Sequence, residues 1–333
     1  VKYCALEITQ NILYSARSAP VSGEASTMDF RSFFSLLRES IKTIHTTRNW
    51  YSILFFALFR RQCAAYFRDG NIFLMTPGQF QNYLFIAQLI LDYLSGVGPR
   101  VRLMMREGLG QVLDSRGYRF VVAPYFGVIF ATEWDDFLQE SFPDLKLAGY
   151  EVIDVGACNG DTAIYFASKG AKVHAYEPVP EAFSMLLKNV FLNHMENVIT
   201  AHNCAIGRNG FSKIYVDTKS YGDSSAHKIS EKSIRVKSID LKDALKICNP
   251  RTRKLLKLNC EGCEISVINA SNSKSLRSFQ QIVLTYHTYL TGIPRDALID
   301  VLEQNGFRVA IAETKHGPPG SNTHGIITAS RAD

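Results

Sequence analysis

The chain lacks three things: any long apolar run, any block of like charge, and any cysteine framework. No stretch reaches the ~18 to 20 uninterrupted apolar residues of a membrane-crossing helix. The nearest, Trp50 to Phe59, is closed by Arg60 and Arg61 and reads as a buried helix, with peripheral membrane contact as the alternative. Lysine and arginine are spread along the chain and the net charge of +6 is modest, so nucleic acid is not expected as an obligate partner. The seven cysteines include one C-x-x-C, Cys260 to Cys263, with no second pair. Zinc would lack two ligands there and a redox role would want a thioredoxin context, so neither metal nor redox function is expected, and the cysteines read as small, reduced residues of a cytoplasmic protein. The first 27 residues lack the basic start, apolar block and cleavage site of a signal peptide. The polar stretch Ser15 to Thr27 reads as unstructured, which predicts that residues 1–27 are a dispensable tail or that Met28 is the natural start.

What is present is a globular composition, 46% hydrophobic and 20% charged, in a chain long enough for two ordinary domains. In the N-terminal third, apolar residues at helical spacing predict a mostly helical Phe33 to Phe67 and a second helix from Phe80 to Leu94. Between them, Arg68 to Met75 reads as a turn into a strand. Ser95 to Pro99 is a breaker, Tyr118 to Phe130 a hairpin interrupted at Pro124 and Gly127, and Glu133 to Ser141 an acidic helix. Residues 28–149 are therefore expected to form a helical and hairpin cap, and residues 150–333 a cofactor-binding domain.

The most informative stretch runs from Glu151 to Asp161 and on to Pro178. A buried strand enters a turn carrying Gly156 and Gly160, a helix follows, and the next strand ends on Glu177. Such glycines let the backbone approach a ligand, the helix start offers unpaired N–H groups, and an acid about 20 residues on suits a ribose diol. The spacing is Asp154-x-Gly156-x-x-x-Gly160, without the third glycine that a pyrophosphate site uses. Asp154 would welcome a cation and repel a phosphate. S-adenosylmethionine, with its ammonium, sulfonium and ribose hydroxyls, meets these demands.

Downstream, strands are expected at 151–155, 172–177, 198–204, 212–217, 255–260, 281–286, 307–313 and 324–329. Helices are expected at 161–169, 180–193, 262–270 and 294–305. The alternation predicts a parallel sheet. The last two strands are joined by the breaker-rich Thr314 to Thr323, too short for a crossover, so they should pair antiparallel. The expected fold is α/β, a Rossmann-like class I methyltransferase sheet, mostly parallel with an antiparallel final pair, behind a mainly helical N-terminal extension.

Six motifs occur in order: Asp154 to Asp161, Tyr176 to Phe183, Leu187 to Asn193, Asn203 to Gly207, Val236 to Leu241, and Leu256 to Glu264. Together they resemble the FkbM family of S-adenosylmethionine-dependent methyltransferases over residues 150 to about 290. The resemblance implies that Gly156 and Gly160 lie under the methionine portion of the cofactor, with Asp154 aligning its ammonium. Asp161 or Thr162 would cap the helix. Glu177 would hold the ribose hydroxyls, and Asn203, Cys204 and Ala205 would edge the adenine, Asn203 being alternatively a turn residue.

The chain departs from the family at Asn259, where Asp is common: an amide can orient a hydroxyl but cannot take its proton. Glu261 and His287, at the carboxyl edge of the sheet, are then the candidate bases. The expected activity is O-methylation of a hydroxyl on a sugar, glycolipid or natural-product acceptor. A non-catalytic S-adenosylmethionine-binding or glycan-binding protein is the alternative. A nucleic-acid N-methyltransferase would want prolines after Asn259, and a cytosine C5 enzyme a nucleophilic cysteine, for which Cys260 is only loosely placed.

Overall fold

The computed structural model describes residues 46–49, 51–53, 62–75, 80–96, 100–107, 109–115, 117–122, 147–217, 224–227, 229–312 and 324–331. The chain divides into two compact units, Val1–Pro124 and Tyr125–Asp333.

The first unit contains the antiparallel pair β1 (Cys63–Tyr66) and β2 (Ile72–Met75), then α1 (Phe80–Leu94). The meander β3 (Val101–Arg106), β4 (Gly110–Ser115) and β5 (Tyr118–Val121) follows. Side-chain amides join the two sheets. Asn71 donates to the Val101 carbonyl and accepts from the Leu103 amide, and Gln111 accepts the Leu74 amide. Helix α1 buries Tyr83, Ile86, Ala87 and Ile90, and Tyr83 stacks on Phe67 and Phe73.

This unit corrects part of the expected cap. Helix α1 falls where its periodicity placed it, and Ile72–Met75 is the expected strand. Residues 63–66, however, form β1 rather than the end of a helix. Ala65 and Phe67 are buried while Tyr66 between them is exposed, which is the period of a strand. The hairpin of β3 and β4, built on Leu, Met and Arg, was not expected. Most of the Phe33 to Phe67 helix, the second half of the Tyr118 to Phe130 hairpin, the Glu133 to Ser141 helix and the 1–27 tail lie outside the described residues.

The second unit is built on β6 (Tyr150–Val155), α2 (Asp161–Ser168), β7 (Lys172–Tyr176), α3 (Pro180–Leu192) and β8 (Ile199–His202). A small sheet follows, of β9 (Ala205–Ile206), β10 (Gly210–Val216) and β11 (Lys232–Ile239). Then come α4 (Leu241–Leu245), β12 (Arg253–Leu258), α5 (Glu264–Ala270), α6 (Ser273–Leu276) and β13 (Gln281–His287). The chain closes with α7 (Thr288–Thr291), α8 (Asp296–Gln304), β14 (Arg308–Ala312) and β15 (His324–Ser330).

The main sheet has the order β14-β15-β13-β12-β6-β7-β8. Five strands run parallel and β15 lies antiparallel to both β13 and β14, as expected for the closing pair. All six residues of β6 are buried, the pattern of a strand covered on both faces. One face packs Ile153, Val155, Leu256, Leu258, Ile282 and Leu284 in a core shared with residues of α5 and α8. The order reverses between β6 and β12, so the loops after these two strands meet where open α/β sheets bind ligands. The expected strand 212–217 is β10, which belongs to the small sheet and pairs with the unforeseen β11.

Candidate active site

The glycine loop leaves β6 at the switch point. Gly156 and Gly160 both hold left-handed backbone, at φ 73° and 86°. A Cβ on Gly156 would lie 2.0 Å from the Asn259 carbonyl oxygen at the end of β12, so the first glycine is needed for strand-end packing as well as for ligand access. Gly156→Ala is therefore expected to destabilise the domain by about 2 kcal/mol or more. Thermal denaturation checks this, and an unchanged melting temperature would contradict it.

Beneath the loop lies a buried ion pair. The Lys257 Nζ, from β12, is 2.8 Å from Asp154 Oδ1 and donates to the Gly156 carbonyl at 2.9 Å. The other Asp154 oxygen accepts from the Thr162 hydroxyl at 2.7 Å. Both side chains are almost wholly removed from solvent. Asp154 thus has a structural part that was not expected: fully buried, it fixes the loop through Lys257 and the Thr162 hydroxyl. The cap is also corrected. Gly160 is the N-cap of α2, Asp161 is the first helical residue and accepts the Thr162 amide, and the Thr162 hydroxyl serves Asp154. Burial pushes the Asp161 carboxyl up to about 6.

Glu177 follows β7 and faces the loop. Its carboxylate accepts the Cys158 amide at 2.9 Å and the Val179 amide at 2.8 Å, one on each oxygen. Burial pushes it up to about 7 against the lowering effect of those two amides. Each oxygen retains a lone pair for a hydroxyl. Asn203 donates to the Glu177 and Pro178 carbonyls, tying the β7 and β8 ends together, and its Oδ1 remains as an acceptor. Cys204 is buried in the core with Tyr176, Ile206 and Leu241, and Ala205, half-buried, begins β9.

The acceptor side is assembled by the loop after β12. Asn259 donates its amide to the Val155 carbonyl, and its buried Oδ1 has no hydrogen-bond partner among the described residues. Glu261 adopts φ 53°, rare for a residue with a side chain, and Gly262 follows at φ 100°. Glu264, the first residue of α5, accepts the Cys260 and Gly262 amides on its two oxygens. His287, at the end of β13, sits between two carboxylates, with Nδ1 3.1 Å from Glu264 and Nε2 3.4 Å from Glu261. Burial pulls the imidazole down, but Glu261 and Glu264 outweigh it and push it up to about 10. The two flanking carboxylates therefore favour the imidazolium form of His287, which has no lone pair left to take a further proton. The Ser225 hydroxyl, from the β10–β11 connection, donates to the Glu261 carbonyl. A shallow hollow lined by Gly262, Glu264, Tyr286, His287, Thr288 and Thr291 opens on this side.

Cys260 and Cys263 are joined by a disulfide, which corrects their reading as reduced thiols. Elsewhere Glu151, His174 and Cys248 bring three metal-ligating groups within 4.8 Å. Glu151 there already accepts the Asn249 amide and the Thr252 hydroxyl, with the Lys172 ammonium 3.8 Å away, so its charge is answered without an ion.

Sequence reasoning missed Lys257, Glu264 and Ser225. Lys257 did leave a signal: it is the one charge in the apolar run Leu255 to Leu258 and stands level with Asp154 in the neighbouring strand.

The strand order and the glycine loop with its following acid define a class I, S-adenosylmethionine-dependent methyltransferase fold. Residues 154–309 match the methyltransferase FkbM domain. Among solved structures, it is similar to the methyltransferase FkbM from Methylobacillus flagellatus KT (13% identity, 77% of this chain and 55% of that one, TM-score 0.40). It is also similar to precorrin-6y C5,15-methyltransferase from Geobacter metallireducens GS-15 (16%, 59% and 87%, 0.35). A third is magnesium protoporphyrin IX methyltransferase from Synechocystis PCC 6803 with bound SAH (14%, 61% and 83%, 0.35). No curated protein matches the sequence.

The residues present fit S-adenosylmethionine. Glu177 offers ionisable acceptors for the ribose diol, and the orphaned Asn259 Oδ1 supplies an acceptor beside the loop. No described helix is long and apolar enough to cross a membrane.

Proposed function

We propose that residues 150–333 transfer a methyl group from S-adenosylmethionine to a hydroxyl on a sugar, glycolipid or natural-product acceptor, with residues 28–149 as a cap. The observation that carries this reading is the trio Glu261–His287–Glu264 beside the β12 loop. Bound S-adenosylmethionine supplies the electrophilic methyl. Glu177 orients the ribose, the loop pinned by Lys257 holds the methionine portion, and Asn259 orients the acceptor hydroxyl.

His287 is the protonated member of the trio, held between the two carboxylates. Glu261 is its partly exposed member, so it takes the hydroxyl proton, while Glu264 and the imidazolium fix its position. The base that Asn259 cannot be is thereby supplied by Glu261, two positions on in the same loop and held by His287 from the next strand. Aligning acceptor and methyl in line and excluding water supply the rest of the rate.

Glu261→Gln is expected to lower turnover about 100-fold or more across a panel of hydroxyl acceptors, read as S-adenosylhomocysteine released, with unchanged cofactor affinity. Release of no S-adenosylhomocysteine by the wild type with any acceptor would favour the non-catalytic binding protein instead. The cytoplasmic location belongs to this proposal, and fractionation of the native protein tests it.

A further inference from the structure

We propose that Cys260–Cys263 is a reversible thiol–disulfide exchange site, reduced by a dithiol, that sets the acceptor half of the site while leaving the cofactor half unchanged. The inference deepens the methyltransferase reading and rests on it for the meaning of the switch, though not for the exchange itself.

The position of the bond argues for exchange. The disulfide closes a ring across Glu261 and Gly262, both left-handed, and only the second is a glycine. A left-handed Glu261 persists only where its surroundings hold it, and the covalent ring is part of that hold. Both sulfurs belong to partly buried residues, so a reductant can approach them, whereas Cys204 and Cys248 are buried thiols. Exposed or strained disulfides are the labile ones, and those of reducing compartments are usually transient.

The location argues for consequence. Cys260 directly follows Asn259, and the ring contains Glu261, whose carboxylate faces His287. Cys263 is the N-cap of α5, whose first residue Glu264 holds the other side of the same imidazole. Opening the ring therefore frees the backbone between the two carboxylates that hold His287 charged. The hydrogen bonds of Lys257 to Gly156 and of Glu177 to Cys158 and Val179 run outside the ring.

The exchange balances without a further reactant. One thiolate of the dithiol attacks a ring sulfur, forming a mixed disulfide and expelling the other cysteine as a thiolate, which takes a proton. The second thiol of the reductant then displaces the remaining cysteine, leaving two protein thiols and an oxidised dithiol, a transfer of two electrons and two protons. The Glu264 carboxylate, which accepts the Cys260 amide, favours protonation of the product thiolates.

The test uses the full chain in dithiothreitol redox buffers under native conditions, with acid quenching, alkylation and peptide mass analysis. The peptide holding Cys260 and Cys263 should gain two labels on reduction and lose them on reoxidation. The His287 titration, followed by NMR, should move down by about one unit or more as Glu261 leaves it, and the S-adenosylmethionine Kd should change less than about twofold. Cys260→Ser/Cys263→Ser should match the reduced protein in both buffers. A pair that labels only after unfolding, or a His287 titration identical in the two states, overturns the proposal. Failure of either form to bind S-adenosylmethionine would remove the methyltransferase reading, while labelling and the His287 titration would still decide the exchange site.

Discussion

Replacing Lys257 with methionine is expected to destabilise the cofactor domain by about 3 to 5 kcal/mol, the range found when one partner of a buried ion pair is removed. The Lys257 side chain is 2% exposed and that of Asp154 0%, so no water replaces the lost ammonium. Asp154 would keep only the Thr162 hydroxyl, and the Gly156 carbonyl would lose its donor. The double variant Lys257→Met/Asp154→Asn should recover part of the loss, because the uncompensated charge is gone; neighbouring sites that share an interaction are non-additive in this way. Urea denaturation followed by circular dichroism measures both. A single-variant loss under about 1 kcal/mol, or strict additivity, would mean that the pair does not hold the loop.

Cofactor affinity should fall about tenfold from pH 8 to pH 6. Glu177 is held at about 7, above the ordinary glutamate range, by burial. In the proposed role its ionised form accepts the ribose hydroxyls, so binding should release the proton from molecules that carry it. Affinity is therefore at its plateau above the folded pKa and is lost as pH drops through it. Glu177→Gln should flatten this profile, and Glu177→Ala should weaken binding about 100-fold or more, taking ~1.5 kcal/mol for each of two charge-assisted hydrogen bonds. Asp161, held at about 6 in the same region, is the control: a pH dependence that survives in Glu177→Gln but vanishes in Asp161→Asn would move the titrating role to it. Calorimetric titration at three pH values separates the cases.

Much of the cofactor half was legible in the sequence because its signals are local. A strand, a glycine turn and an acid at the next strand end follow one another within 27 residues, and Gly156, Gly160 and Glu177 lie at the switch point where such a run must bring them. Helix α1 was legible for the same reason, since amphipathic period survives without tertiary help.

The missed parts depend on partners distant in sequence. Lys257 matters only because register sets it level with Asp154, 103 positions earlier, and a lone lysine in an apolar strand does not announce that partner. His287 read as a base because its position was legible but its two carboxylate neighbours were not. Its charge is a property of the trio. Strand β11 alternates Ile234, Val236 and Ser238 with Arg235 and Lys237, but its charged face masked a strand that covers only one side. Cys260 and Cys263 read as reduced because neither a second ligand pair nor a thioredoxin context accompanies them in the sequence, whereas in the fold the two bond each other.

The central claim, that the loop from Asp154 to Asp161 with Glu177 binds S-adenosylmethionine, is tested most directly by isothermal titration with S-adenosylmethionine, S-adenosylhomocysteine and NAD. The account predicts binding of the first two and not of NAD, with both lost in Glu177→Ala. Binding of NAD, or of none of the three, would contradict it.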